Sequence, residues 1–66
     1  MDCSIIVKGH LDQRWSEWFE GLTIIHHENG QTMLAGQLPD QAALHGVLTK
    51  VRDLGLTLVT VQCTDQ

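Results

Sequence analysis

A chain of 66 residues can form one domain around one thin hydrophobic core, because a short chain buries a smaller fraction of its surface than a long one. Apolar residues make up 42% of the sequence and charged residues 18%, a balance typical of folded globular domains. We therefore predict a single domain over residues 1–66. At this size apolar burial barely offsets the entropy lost on folding, so we also expect a disulfide, a metal or self-association to add stability.

The charge balance and the hydropathy pattern limit the partners and the location of the protein. Four basic residues against eight acidic ones give a net charge of -4, which opposes binding to nucleic-acid phosphates. No apolar run approaches the roughly 18 to 20 residues of a membrane span, and residues 1–8 lack the basic head and apolar stretch of a secretory signal. We expect a cytoplasmic protein that binds neither nucleic acid nor membrane.

The first half of the chain predicts a strand, a helix and a hairpin. Residues 3–9 are rich in β-branched side chains and end at a glycine, as a strand does. Asp12 can cap a helix, and the apolar residues that follow recur at helical spacing: Trp15, Trp18, Phe19 and Leu22. Residues 22–27 and 31–38 are predicted to be strands, joined by Glu28-Asn29-Gly30.

The second half predicts one helix and one strand. Pro39 ends the preceding strand, Asp40 can cap a helix over residues 41–54, and Gly55 is a typical helix stop. The apolar residues of this helix form one stripe: Ala43, Leu44, Val47, Leu48, Val51 and Leu54. Residues 56–63 are predicted to be the last strand.

The order β-α-β-β-α-β is the ferredoxin-like pattern, an α+β fold. It predicts a four-stranded antiparallel sheet with two helices on one face. Right-handed crossovers place the first and third strands in the centre, the last strand beside the first, and the second strand at the other edge.

The predicted strand order fixes two registers. Pairing Ile5 with Val61, and Val7 with Val59, places four β-branched residues on the helix-covered face. For the hairpin we favour a three-residue loop with Gly30 left-handed, which pairs residue 24 with residue 34 and residue 22 with residue 36. A two-residue loop would instead pair residue 25 with residue 34.

The same register brings Cys3 opposite Cys63. Two cysteines that face each other on antiparallel strands can form a disulfide. Cytosolic thiols stay reduced, however, so we expect both to be free in the cytoplasm.

The predicted sheet leaves several apolar side chains on the face that no helix covers. Monomers rarely expose large apolar patches, so this face is predicted to contact a second copy of the chain or another protein through Ile6, Ile25, Met33, Ala35 and Leu58. The alternative is that these side chains are separated by polar neighbours and are merely half-exposed, as scattered apolar surface residues often are.

The sequence lacks the motifs that carry common chemistries. It contains no glycine-rich phosphate loop, no His-Glu-x-x-His and no serine elbow, so we predict no catalytic residue and no cofactor. His26 and His27 are adjacent in a strand and point to opposite faces, so we predict no metal site from them.

The chain resembles a set of small uncharacterised bacterial proteins of about this length, familiar chiefly in actinobacteria. The resemblance is strongest in DQAALHG over residues 40–46 and VRDLGL over residues 51–56. It implies a free-standing protein of one domain and brings no known activity or site residue.

These observations favour a small non-enzymatic accessory or regulatory module that self-associates, as a homodimer, through the uncovered sheet face or an edge strand. The alternative is a small-molecule-binding protein or minimal enzyme, with a site at a dimer interface near Trp15, Trp18 and His10, because indole rings are well suited to line an apolar pocket.

Overall fold

A computed structural model of the protein describes residues 1–64. It contains four strands and one α-helix in the order β1 (Asp2–Lys8), a 3-10 helix (Gln13–Ser16), β2 (Thr23–His26), β3 (Gln31–Gln37), α1 (Gln41–Asp53) and β4 (Thr57–Thr64). The sheet order is β2-β3-β1-β4, and all neighbouring strands are antiparallel. The strand order is the predicted one, but the ferredoxin-like fold with two helices was wrong.

The segment predicted as the first helix forms a single 3-10 turn and a coil. The carboxylate of Asp12 accepts from the backbone N–H of Arg14, at 3.2 Å, and starts a tight turn. Four residues after that turn the backbone becomes left-handed at Glu20 and Gly21, with φ of 59° and 77°, and the Gly21 N–H bonds to the Ser16 carbonyl at 2.9 Å. Only about two helical turns could fit before this reversal, and isolated helices that short are unstable in water.

α1 forms where the sequence predicts it, because both of its ends are capped. The Asp40 carboxylate accepts from the Ala43 N–H at 2.9 Å, which satisfies one of the free donors of the first turn. At the other end Gly55 takes a left-handed φ of 74°, the conformation that often ends a helix. Val47 and Val51 are buried against the sheet.

The β2–β3 hairpin has the predicted three-residue loop. Ile24 lies opposite Leu34, and His27 donates its N–H to the carbonyl of Gln31 at 2.8 Å. Gly30, the last loop residue, has a φ of 80°, which a residue with a Cβ rarely adopts. The two-residue loop that would pair residue 25 with residue 34 is excluded by this register.

The register between β1 and β4 differs from the prediction at one end. Ile5 pairs with Val61 as predicted, but Val7 pairs with Leu58 because the register shifts between Ile6 and Val7. This β-bulge leaves Val59 as the extra residue, with 43% of its surface exposed. The predicted pairing of Val7 with Val59 was wrong because strict alternation cannot anticipate an inserted residue.

Cys3 and Cys63 lie opposite each other, as predicted, and form a disulfide. The expectation of two free thiols was therefore wrong. Cys3 is 4% exposed and lies on the helix-covered face with Ile5 and Val7, so the bond joins β1 to β4 inside the core.

The hydrophobic core lies between the sheet and the segments that cross its covered face. Phe19 and Leu22 of the coil are fully buried with α1 residues and the inward strand residues. The other face of the sheet has no covering element among residues 1–64. None of the helices in that range is long and apolar enough to cross a membrane.

Candidate functional site

The open face of the sheet carries one apolar row that runs across the strands. The registers place Ile25, Met33 and Ile6 side by side, with Thr60 at the end of the row. Ile25 is 39% exposed, whereas Met33 and Ile6 are half-buried because they shield one another. Three residues predicted for the interface therefore lie together.

Polar residues border this apolar row. The next row contains Thr23, Ala35, Ser4 and Gln62, so Ala35 is the only apolar member there. On the other side the register pairs Lys8 with Gln31. The bulge also pairs Leu58 with Val7 of the helix-covered face, which separates Leu58 from the other four predicted interface residues.

The two edges of the sheet differ in protection. The outer edge of β2 is covered by the coil that precedes it: Gln13 Nε2 donates to the Ile24 carbonyl at 3.0 Å. Nearby, Ser16 Oγ donates to the Leu22 carbonyl at 2.7 Å. The coil in place of a first helix therefore supplies a polar partner for one backbone carbonyl of this edge strand.

The outer edge of β4 has no such cover. Within residues 1–64 the only strand that pairs with β4 is β1, and no side chain from that range bonds to its backbone. The strand contains eight residues, TLVTVQCT, with neither a charge nor a proline. Apart from the bulge at Val59, it lacks the devices by which proteins protect an exposed strand edge.

His10 and His26 form a stacked pair. Their ring centroids are 4.2 Å apart and the planes differ by 20°. His26 Nε2 also contacts the carbonyl oxygen of Leu11. The pair therefore fixes the chain after β1 against β2.

The histidines do not gather into a cluster of candidate metal ligands within residues 1–64. No group of three or more His, Cys, Asp or Glu side chains comes together there to hold an ion. His26 and His27 are both exposed, and the rings that come together belong to His10 and His26.

Trp15 and Trp18 come together on the coil. Their ring centroids are 6.0 Å apart and their planes lie at 80°, the edge-to-face arrangement that aromatic rings favour. They line an open cavity of about 570 Å³ with Arg14 and Glu17. His10 does not line this cavity, so two of the three residues predicted for a ligand pocket lie together.

Lys50 of α1 fixes the position of Trp18. Its ammonium donates to the Trp18 carbonyl at 2.8 Å and to Glu20 Oε1 at 3.3 Å, and it lies 5.2 Å from the centre of the Trp18 ring. Sequence reasoning missed Lys50, because it is 32 residues away from Trp18 and nothing local connects the two.

The sequence matches the model of a protein family over most of its length. The family described as a domain of unknown function, DUF8691, matches residues 2–62, which is nearly the whole chain. Neither the curated proteins nor the solved structures contain a match. The chain belongs to the DUF8691 family.

Proposed function

We propose that this member of the DUF8691 family is a small accessory or regulatory module that works as a homodimer, and that β4 forms the contact. The observation that carries the proposal is the difference between the two sheet edges. The coil bonds to the outer edge of β2 through Gln13, whereas the whole length of β4 is open on its outer side. An uncovered edge is a template for pairing with another strand.

The uncharged character of β4 favours a second copy of the chain as the occupant. The protein has a net charge of -4, yet none of that charge lies on β4. Two copies can therefore align this strand in antiparallel fashion around a two-fold axis without placing like charges opposite each other. A charged peptide would find no complementary charge along the same edge.

Dimer formation through β4 would also shield apolar area. Leu58 and Val59 are 45% and 43% exposed at the start of the strand, and both would gain neighbours from a paired strand. The two four-stranded sheets would join into one continuous sheet, in which the present β4 edges become internal. This contact would add to the stability that the Cys3–Cys63 disulfide already gives so short a chain.

The open sheet face is the alternative surface for self-association. The row of Ile6, Met33 and Ile25 with neighbouring Ala35 is narrow, and polar residues border it. When two sheets pack face to face, they bury apolar side chains along every strand. This face does not carry apolar side chains along every strand. We therefore propose β4 as the dimer contact, and the experiment below distinguishes it from contact through the open face.

Two finer expectations stay predictions. The relation to actinobacterial proteins depends on residues 40–46 and 51–56 and is not addressed by the family match. A cytoplasmic location was expected because no apolar run is long enough for a membrane span and residues 1–8 lack the features of a secretory signal. The bond between Cys3 and Cys63 instead favours an oxidising compartment, where disulfides persist.

Sedimentation equilibrium of the purified chain tests the proposal. We expect a dimer for the wild type and a monomer for the double variant Leu58→Lys/Val59→Lys, because charges on an edge strand oppose pairing. Neither residue lies in the apolar row of the open face or in the polar row beside it. Both side chains are exposed, so the fold should survive. Thr49→Lys, an exposed change on α1, is the control and should remain dimeric.

Ile25→Lys tests the open face separately. If the chain pairs through β4, this variant remains dimeric. A strictly monomeric wild type would overturn the proposal of self-association. A dimer that Ile25→Lys dissociates and that the β4 double variant leaves intact would move the contact to the open face.

A further inference from the structure

The cavity beside the 3-10 helix has the chemistry of a site for an organic cation. Its walls include the indoles of Trp15 and Trp18, set at 80° to each other. The faces of indole rings carry negative electrostatic potential and attract cations, Trp most strongly among the aromatic residues. Both rings line the same cavity, so a cation bound there would lie against this indole pair.

Glu17 adds a carboxylate to the same cavity. It is exposed and forms no ion pair with any residue in the range 1–64. The one basic residue that lines the cavity, Arg14, has its Nε 3.7 Å from Oδ2 of Asp12, so a neighbouring carboxylate offsets its charge. The cavity therefore combines two aromatic rings with a carboxylate that has no partner of its own.

The contact between Lys50 and Trp18 shows that this indole already accepts a cation. The ammonium lies 5.2 Å from the ring centre and also bonds to the backbone of Trp18. These contacts hold Trp18 in place although 45% of its surface is exposed. A ring that is held before binding loses less conformational entropy when a ligand arrives.

We propose that this cavity binds a small quaternary ammonium group. Such a group has no N–H to donate, so it needs aromatic faces and a nearby negative charge rather than directed hydrogen bonds, and these are what Trp15, Trp18 and Glu17 supply. The cavity volume of about 570 Å³ lies within the range of small-molecule sites. The proposed site lies within one subunit and does not depend on dimer formation.

Intrinsic fluorescence provides a direct assay, because the chain contains only two tryptophans and both line the cavity. Choline chloride is the probe, with sodium chloride at the same ionic strength as the salt control. The neutral carbon analogue 3,3-dimethyl-1-butanol has the same shape without the charge. We expect choline to cause saturable quenching or a spectral shift of the tryptophan fluorescence. Sodium chloride should cause neither effect, and the response to the alcohol should not saturate.

Variants connect the response to the cavity. Glu17→Gln should weaken choline binding about 1.5- to fivefold, the factor expected for the loss of one exposed pair of opposite charges. Glu28→Gln, an exposed acid in the hairpin loop, is the matched control and should bind like the wild type. Trp18→Leu should weaken binding by at least as much, with Trp15 remaining as the reporter.

Three results would overturn the proposal. One is the absence of a saturable response to choline beyond the salt control. Another is equal binding of choline and its neutral analogue, which would show that the cavity is merely apolar. The third is equal binding by the Glu17→Gln and Glu28→Gln variants, which would separate the response from the carboxylate that lines the cavity.

Discussion

The hydroxyl of Thr32 donates a hydrogen bond of 2.6 Å to the carbonyl oxygen of Gly9. Thr32 belongs to β3 and its side chain is completely buried, while Gly9 follows the end of β1. The Gly9 N–H also bonds to the Gly30 carbonyl at 3.0 Å. Both polar groups of Gly9 are thus satisfied by the hairpin, which holds the beginning of the coil in place.

Replacing Thr32 by Val keeps the shape of the side chain and removes this donor. The Gly9 carbonyl then loses its partner in a partly buried position, so the free energy of unfolding should fall by about 1–3 kcal/mol. Thr32→Ser retains the hydroxyl and loses one methyl group, which should cost about 1 kcal/mol. Urea denaturation measures both, and a Val variant as stable as the wild type would show that the hydrogen bond contributes nothing.

The sequence predicts the elements whose ends are marked by local chemistry. α1 has a capping Asp40, a buried stripe that includes Val47 and Val51, and a terminal Gly55, and each of these acts within a few residues. The hairpin is predicted for the same reason, since Gly30 alone supplies the left-handed residue of its loop. The strand order follows from the order of elements and the handedness of crossovers.

The coil and the bulge could not be predicted in the same way. The left-handed backbone of Glu20 has no signature in the sequence, so the helical spacing of Trp15, Trp18 and Phe19 suggested a helix. The bulge at Val59 is set by the fit of β4 against β1, and it moved Leu58 away from the predicted open-face set. The proximity of Trp15 and Trp18 followed from their spacing.

Gly36 is the one glycine of β3, and the space beside it is too small for a Cβ. A Cβ built there lies 2.9 Å from Leu22 Cδ2 and 3.7 Å from Leu22 Cα, at a φ of 156°. Leu22 is fully buried, so its side chain has little room to move away, and a residue with a Cβ rarely adopts this φ. Gly36→Ala should therefore lower the free energy of unfolding by about 1–3 kcal/mol.

Gly46 of α1 is the matched control for this substitution. A Cβ there meets no atom within 4 Å, and alanine favours the helix over glycine by roughly 0.5–1 kcal/mol. Gly46→Ala should therefore raise the thermal midpoint while Gly36→Ala lowers it. Equal midpoints for the two alanine variants would contradict the close packing of β3 against Leu22.

The Cys3–Cys63 disulfide should contribute much of the stability. It joins residues 60 positions apart. Closing a loop of that length lowers the conformational entropy of the unfolded chain, which typically raises the free energy of unfolding by about 2–4 kcal/mol. Adding a thiol reductant should therefore lower the urea midpoint of the wild type. The double variant Cys3→Ser/Cys63→Ser should already have the lower midpoint and should not respond to reductant; an equal response of both proteins would show that the reductant acts elsewhere.

The Gln13 side chain bonds to the outer edge of β2. Removing this side chain should show whether the bond protects β2 from pairing with another strand, as the open edge of β4 is not protected. The side chain is exposed, yet its Nε2 donates to the Ile24 carbonyl at 3.0 Å. Gln13→Ala should lower the free energy of unfolding by about 0.5–1.5 kcal/mol, the usual contribution of one such hydrogen bond. Gln37→Ala, at the exposed end of β3, is the control and should change stability by less than about 0.5 kcal/mol.

The same variant separates edge protection from ordinary loss of stability. An uncovered β2 edge becomes a second template for strand pairing, so Gln13→Ala should form species larger than a dimer as the protein concentration rises. The Gln37→Ala variant should not. If Gln13→Ala loses stability without any change in sedimentation, the coil stabilises the fold but does not protect the edge, and β4 is then not distinguished from β2 as a pairing surface.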